Sequence, residues 1–290
     1  MKVAELIKRC DEDFEKRLYS IADKIHIDGV RLISLSGPTC SGKTTAAEML
    51  AKRLETYGKR VHIVSIDDFY YDRDYLHKLS KSKGLDGIDY DSVDTIDLCA
   101  LGTFVEEMYS EDEVRCPVFD FKTGMRAGER RISAGDNDLF IFEGIQAIYP
   151  EVTALFSSHG YASVYIAPLS SIYVGDEEFT PNEIRLLRRL VRDTNFRGAD
   201  VEFTLELWES VRQNEERNIF PYADGCIYKI NSTQEYELSI LKPFLENILS
   251  PIRPQSKYYV HTRRILKQIA TVEAADASLI GKNSLYREFV

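Results

Sequence analysis

Eight consecutive residues carry the clearest chemistry in this sequence. Gly37-Pro38-Thr39-Cys40-Ser41-Gly42-Lys43-Thr44 fits the pattern G-x-x-x-x-G-K-[ST]. The two glycines permit a tight wrap in which successive backbone N–H groups converge on an anion, and a helix opening at Lys43 adds its positive dipole end. A loop of this kind cradles phosphate. Lys43 is placed to reach β- and γ-phosphates, and the Thr44 hydroxyl to bind Mg²⁺. The expected ligand is ATP with Mg²⁺, held by Gly37, Thr39, Cys40, Ser41, Gly42, Lys43, Thr44 and Thr45.

Such a loop needs an acid near its metal, and Leu139-Phe140-Ile141-Phe142-Glu143 is an apolar run ending in a carboxylate. Glu143 is the candidate, against the plainer reading of a solvated residue at a strand end. Transfer of a phosphoryl group to a hydroxyl also needs a base and cations. Ser65-Ile66-Asp67-Asp68-Phe69-Tyr70 follows a strand pattern and puts Asp67 forward as the base; the plainer reading is a turn cap. Arg185, Arg188, Arg189 and Arg192 recur at i, i+3, i+4, i+7, with Arg197 beyond. That stripe reads as a lid closing over phosphates, with Arg185 and Arg188 as its structural members, or as a face of ion pairs.

The elements that must position these groups alternate. Val30–Leu35 reads as a buried strand, Lys43 to about Tyr57 as a helix closed by Gly58, and Val61–Ser65 as the next strand. A helix is expected over Ser92–Tyr109, and strands at Leu139–Phe142, Ser163–Ala167 and Cys226–Ile230. Further helices are expected over Ile184–Arg197, Val201–Glu216, Tyr236–Leu249 and near Tyr258–Ile269. This alternation predicts an α/β, three-layer P-loop NTPase fold with a parallel central sheet, a helical lid at about 184–200, and helical additions at both ends. The expected boundaries are 1–28 for an amphipathic N-terminal helix, 29–250 for the main domain and 251–290 for a C-terminal helical extension. The polar stretch Tyr70–Tyr90 reads as an irregular excursion, and Gly281–Val290 has no readable pattern.

The 290 residues carry 37 Lys and Arg against 47 Asp and Glu, a net charge of -10, so no overall field draws nucleic acid or anionic lipid to the chain. The five scattered cysteines suggest neither a disulfide framework nor a zinc site, and no run approaches a membrane span. A cytoplasmic protein without nucleic-acid or membrane partners is expected, with self-association into a homo-oligomer left open.

Taken together, G-P-T-C-S-G-K-T-T, S-I-D-D-F-Y, F-E-G-I-Q-A-I-Y and R-R-L-V-R-D-T-N-F-R-G resemble the uridine kinase and phosphoribulokinase family of P-loop kinases, in its bacterial uridine kinase-like branch. The resemblance runs from about Val30 to Leu249. It implies that Asp67 is the catalytic base, that Glu143 assists Mg²⁺, and that Arg189, Arg192 and Arg197 are lid arginines acting with Lys43. It also implies an acceptor site formed by Asp67, Tyr70, Asp91, Phe119, Arg126 and Arg189, with Asp91 holding ribose hydroxyls; capping a helix near Val93 is the other use open to Asp91. Two departures stand out. Where uridine-cytidine kinases carry a base-reading Tyr and His, this chain has Phe119 and Gly124, and Ala199 follows Gly198 where an arginine is frequent. Fewer polar groups and more room are expected around the base.

The implied activity is phosphorylation of a small molecule, foremost the 5′-hydroxyl of a ribonucleoside. The competing readings are a kinase acting on a phosphosugar or pantothenate, and a nucleotide-dependent switch without turnover.

Overall fold

The computed structural model describes residues 2–85 and 87–290. In chain order the elements are α1 (Val3–Asp28), β1 (Leu32–Ser36), α2 (Lys43–Glu55), β2 (Arg60–Ser65), α3 (Arg73–Ser82), α4 (Leu98–Ser110), β3 (Glu113–Asp120) and β4 (Met125–Ser133). There follow β5 (Asp138–Glu143), α5 (Pro150–Ser157), β6 (Ala162–Ala167), β7 (Ile172–Val174), β8 (Glu177–Phe179), α6 (Pro181–Arg197), α7 (Val201–Asn218), α8 (Phe220–Ala223), β9 (Tyr228–Asn231), α9 (Glu237–Leu249) and α10 (Tyr259–Ile269). Five strands form one parallel sheet in the order β2-β5-β1-β6-β9.

Because side chains alternate along a strand, each central strand feeds two cores. Ile33, Leu35, Leu139, Ile141, Val164 and Ile166 meet the helices α1 and α2 on one face. Leu32, Phe140, Phe142, Tyr165 and Ala167 meet α4 and α5 on the other. A third core joins α6, α7, α9 and α10. Register brings Leu35 of β1 and Ser65 of β2 level with Glu143 of β5, so the segments leaving these strands emerge together at the carboxyl edge. That edge is where open parallel sheets hold ligands.

Several expectations need correction. The helix expected over Ser92–Tyr109 is split: Val93–Thr95 forms a 3₁₀ turn, and α4 begins only at Leu98, where the Asp97 carboxylate accepts the Ala100 N–H at 2.9 Å. The supposedly irregular Tyr70–Tyr90 contains α3. Two hairpins, β3–β4 and β7–β8, went unanticipated, β4 because nearly all its residues are exposed and carry no apolar alternation. The final segment, without pattern in sequence, is packed: Leu285, Tyr286 and Phe289 are buried in the same core as the phosphate-loop helix.

The flanks are therefore built into the domain. The apolar stripe of α1, Ile7, Cys10, Phe14, Leu18, Ala22 and Ile25, is buried with Ala46, Ala47, Leu50 and Leu54 of α2. Among the described residues no helix is long and apolar enough to cross a membrane. Leu18→Ala is expected to cost about 2–5 kcal/mol by loss of transfer free energy and opening of a cavity. Urea unfolding measures this, and a loss below about 1 kcal/mol would make α1 a peripheral appendage.

Candidate active site

The loop between β1 and α2 folds as its glycines demand. A Cβ on Gly37 would lie 2.0 Å from the Ile166 carbonyl oxygen, so no larger residue fits there. Gly42 has φ +91°, in the left-handed region that favours glycine, and Cys40 takes φ +58°. The Lys43 ammonium donates to the carbonyls of Gly37 at 3.0 Å and Pro38 at 3.2 Å. Ser41 Oγ is buried without a protein partner. An orphaned donor inside a ring of backbone N–H groups suits a phosphate oxygen. Thr44, in the first turn of α2, offers a hydroxyl, and Glu143, at the end of β5, a carboxylate; oxygen donors of this kind suit a hard cation that keeps waters and phosphate oxygens as its other ligands.

Asp67 and Asp68 part company. Both lie in the 3₁₀ turn Ile66–Phe69 that follows β2. Asp68 accepts the Phe119 N–H at 3.2 Å and faces Arg130 at 3.5 Å, which ties the β3–β4 hairpin to the turn. Asp67 instead lines a cavity of about 350 Å³ with Tyr70, Arg73, Tyr90, Asp91, Phe119, Phe121 and Ile145. Burial raises the Asp67 pKa; the Tyr70 hydroxyl and the Lys43 ammonium pull it back, and Asp68 adds to the rise. Glu143 is raised too, first by burial, against Lys43 and with Asp67 and Glu288 adding. Lys43 is thus the cation on which these acids depend.

Asp91 caps no helix. Ser92 caps the short turn and Asp97 caps α4, while the Asp91 carboxylate receives Asn214 Nδ2 of α7 at 3.3 Å. The same Asn214 amide donates to Asp89 at 2.7 Å and is itself met by Asn218 at 2.5 Å. Burial, then the neighbouring Asp89 and Glu215 charges, push the Asp91 pKa up to about 6, with Lys43 opposing. The floor beside it is held by Gln146, whose amide donates to the Tyr70 hydroxyl at 3.0 Å and the Tyr90 carbonyl at 2.7 Å.

The arginine stripe divides into two sets. Arg185 is buried in a two-pronged pair with Glu215, at 2.5 and 2.6 Å, and donates to the Thr39 carbonyl at 3.3 Å. Arg188 is fully buried against Glu237, at 2.5 and 3.0 Å, and donates to the Cys40 carbonyl at 3.1 Å. Both bolt α6 to the phosphate loop. Arg189, Arg192 and Arg197 converge on a single carboxylate, Asp193, at 3.2, 2.8 and 3.7 Å. One negative charge among three positive ones leaves a local excess of cation beside the loop.

Arg126 is not among the residues that line the cavity holding Asp67 and Asp91. Its guanidinium is engaged with the carbonyls of Phe69 and Tyr70 and with Asp97, so it braces the turn below the cavity. The extra room expected at Gly124 is not there either, because the Arg73 side chain fills it. Asn214, Glu215, Glu237 and Arg73 escape a reading of the sequence, since each meets its partner through the fold; Gln146 lies in the F-E-G-I-Q segment and was open to notice.

Removing Glu237 by substitution with Ala strands a buried guanidinium, and a loss of about 3–5 kcal/mol in unfolding free energy is expected. Calorimetric unfolding tests it; a change under about 1 kcal/mol would mean that water or Ser232 replaces the carboxylate.

Residues 32–234 match the Phosphoribulokinase / Uridine kinase family. The uridine kinase of Lactobacillus johnsonii is 27% identical over 226 residues, 77% of this chain and 97% of that protein. The uridine kinase of Ureaplasma urealyticum is 27% identical over 179 residues, 62% of this chain and 76% of its own. That of Schizosaccharomyces pombe is 31% identical over 179 residues, 61% of this chain but only 35% of the longer yeast protein. With the phosphate loop, the Asp67 turn and Glu143 assembled at one sheet edge inside that matched span, the chain belongs to the phosphoribulokinase/uridine kinase family.

Proposed function

We propose that this chain is a nucleoside kinase that transfers the γ-phosphoryl of ATP, with Mg²⁺, to the 5′-hydroxyl of a ribonucleoside. The observation that carries this reading is the cavity in which Asp67 and Asp91 stand together between aromatic walls, with Lys43 close enough to act on both carboxylates. The relatives named uridine kinase support a nucleoside as acceptor.

Asp91 accepts hydrogen bonds from the two ribose hydroxyls, its own geometry set by Asn214. Asp67 accepts the proton of the primary hydroxyl as that oxygen attacks, and its burial, by raising its basicity, suits it to the task. Lys43, Arg189, Arg192 and Arg197 neutralise the charge that moves during transfer. Thr44 and Glu143 would hold Mg²⁺, and residues 37–45 the phosphates. When bound, MgATP supplies the phosphoryl group and a metal charge that eases its departure. A phosphorylated sugar fits less well, because its dianion would face two carboxylates.

Asp67→Asn is expected to lower kcat by roughly 10²- to 10⁴-fold with nucleotide affinity little changed. Asp91→Asn tests the acceptor. In the wild type, nucleoside KM is expected to rise as pH falls through about 6, where Asp91 gains its proton. The variant loses that dependence and the preference for ribo- over 2′-deoxyribonucleosides. Stability moves the opposite way. A carboxyl pKa raised in the fold destabilises the protein as pH rises from the ordinary carboxylate range through 6, so Asp91→Asn should raise Tm at pH 7 and not at pH 4. Loss of stability at pH 7 with the ribose preference intact would assign Asp91 to structure alone.

A further inference from the structure

The hairpin turn between β3 and β4 holds Gly124 at φ +72°, and a Cβ built there would lie 2.4, 2.6 and 2.8 Å from Nε, Cζ and Cβ of Arg73. The glycine makes way for the arginine. Arg73 is the first residue of α3; its N–H donates to the Gly124 carbonyl at 2.7 Å and one terminal nitrogen donates to the Phe121 carbonyl at 2.9 Å. Among the described residues no other protein acceptor meets its side chain, and it is the one cation lining the cavity that contains Asp67 and Asp91. We infer that Arg73 determines acceptor specificity by donating to the carbonyl edge of a keto-bearing base. This rests on the nucleoside reading.

The cavity has anionic hydroxyl-binding groups, aromatic walls for a flat ring, and a fork of N–H donors. A base edge with a carbonyl oxygen complements that fork, whereas the exocyclic amino group of adenine turns donors toward donors. Steady-state kinetics on uridine, inosine and adenosine provide the test, with direct titration of each nucleoside. Uridine or inosine should exceed adenosine in kcat/KM, and Arg73→Ala should raise KM for the keto nucleosides roughly 10- to 100-fold, the scale of a good paired contact, while leaving adenosine unchanged. Arg73→Lys, which keeps charge and stem but loses the fork, should fall between. An equal loss on all three nucleosides would make Arg73 a brace for the hairpin and overturn the inference alone. If the wild type phosphorylates none of them, the nucleoside reading falls and the inference with it.

A second, independent observation concerns the segment 281–290. Glu288 accepts the backbone N–H of Thr45 at 3.0 Å and the Thr45 hydroxyl at 2.6 Å, so a carboxylate sits in the first turn of α2 among the donors that phosphate loops offer to nucleotide phosphates. The rings of Tyr286 and Phe289 lie 5.2 and 5.5 Å from the Arg188 guanidinium, and the Tyr286 hydroxyl accepts from Arg188 at 2.9 Å. One short segment therefore holds an anion on the loop's own donors and is anchored by rings buried with Arg188 behind the loop. We propose that it is an internal competitor that ATP must displace.

Glu288→Gln should bind MgATP more tightly in titration calorimetry, about 10-fold if the plugged state holds roughly nine molecules in ten. Hydrogen exchange of residues 284–290 should rise when MgATP is added to the wild type, against the general slowing that a ligand imposes. Unchanged or weaker MgATP binding by Glu288→Gln overturns the proposal, as does slower exchange of the segment in the presence of nucleotide.

Discussion

Two guanidinium groups sit where there is no water to solvate them, and the geometry of the site hangs on how they are neutralised. A buried charge is tolerable only with a partner of opposite sign and with its remaining donors satisfied. Arg185 meets Glu215 and Arg188 meets Glu237, and each guanidinium has donors left over. Among the acceptors they reach are the carbonyls of Thr39 and Cys40, in the middle of the phosphate loop. Carbonyls engaged from behind leave the N–H groups of the same peptides facing the other way. The ion pairs thus orient the loop as well as fastening α6 to it. A well-packed apolar replacement could match their stability but not that orientation.

The same clamps couple the two substrates' surroundings. Glu215 neutralises Arg185, and its chain neighbour Asn214 holds Asp89 and Asp91. One turn of α7 therefore touches both the phosphate-loop clamp and the carboxylate proposed to hold ribose. The lid closure expected of residues 184–200 has no room at the front of α6, which is bolted down. The end of that helix is less constrained, for there Arg197 is exposed and Gly198 turns with φ +62°.

What was readable in the sequence was local. The phosphate loop, the Asp67 turn and the strand ending at Glu143 each depend on a handful of consecutive residues, and each lies at the sheet edge where its pattern put it. The ends of the central-sheet strands were right within about two residues because a short continuous apolar run reports burial on both faces. The arginine stripe was legible as a stripe, but its division into buried clamps and a cluster on Asp193 was not. Glu215, Glu237 and Ser232 lie 30 to 49 positions away from the arginines they serve, and helical spacing says nothing of them. Gly124 shows the same limit. As a residue without a side chain it implied space, and only the fold brings Arg73, 51 positions earlier, into that space.

The distribution of charge explains how an acidic protein can handle anionic ligands. Asp67, Asp91 and Glu143 are all raised by burial, and each is countered by the one ammonium of Lys43. Lys43 bonds to the loop's own carbonyls, and Glu288 lies close enough to raise Glu143 further. Asp67 in turn raises both Asp91 and Glu143, so the site is crowded with carboxylates that disfavour one another's charge. A metal ion arriving with phosphate would reverse the local balance, since a divalent cation favours ionised acids around it. The proton acceptance proposed for Asp67 requires its ionised form. For Asp67 as the proposed base, such a cation would keep the carboxylate ionised and lower its affinity for a proton, so the burial that raises its basicity and the cation that secures its charge act against each other, and the base works where the two are in balance.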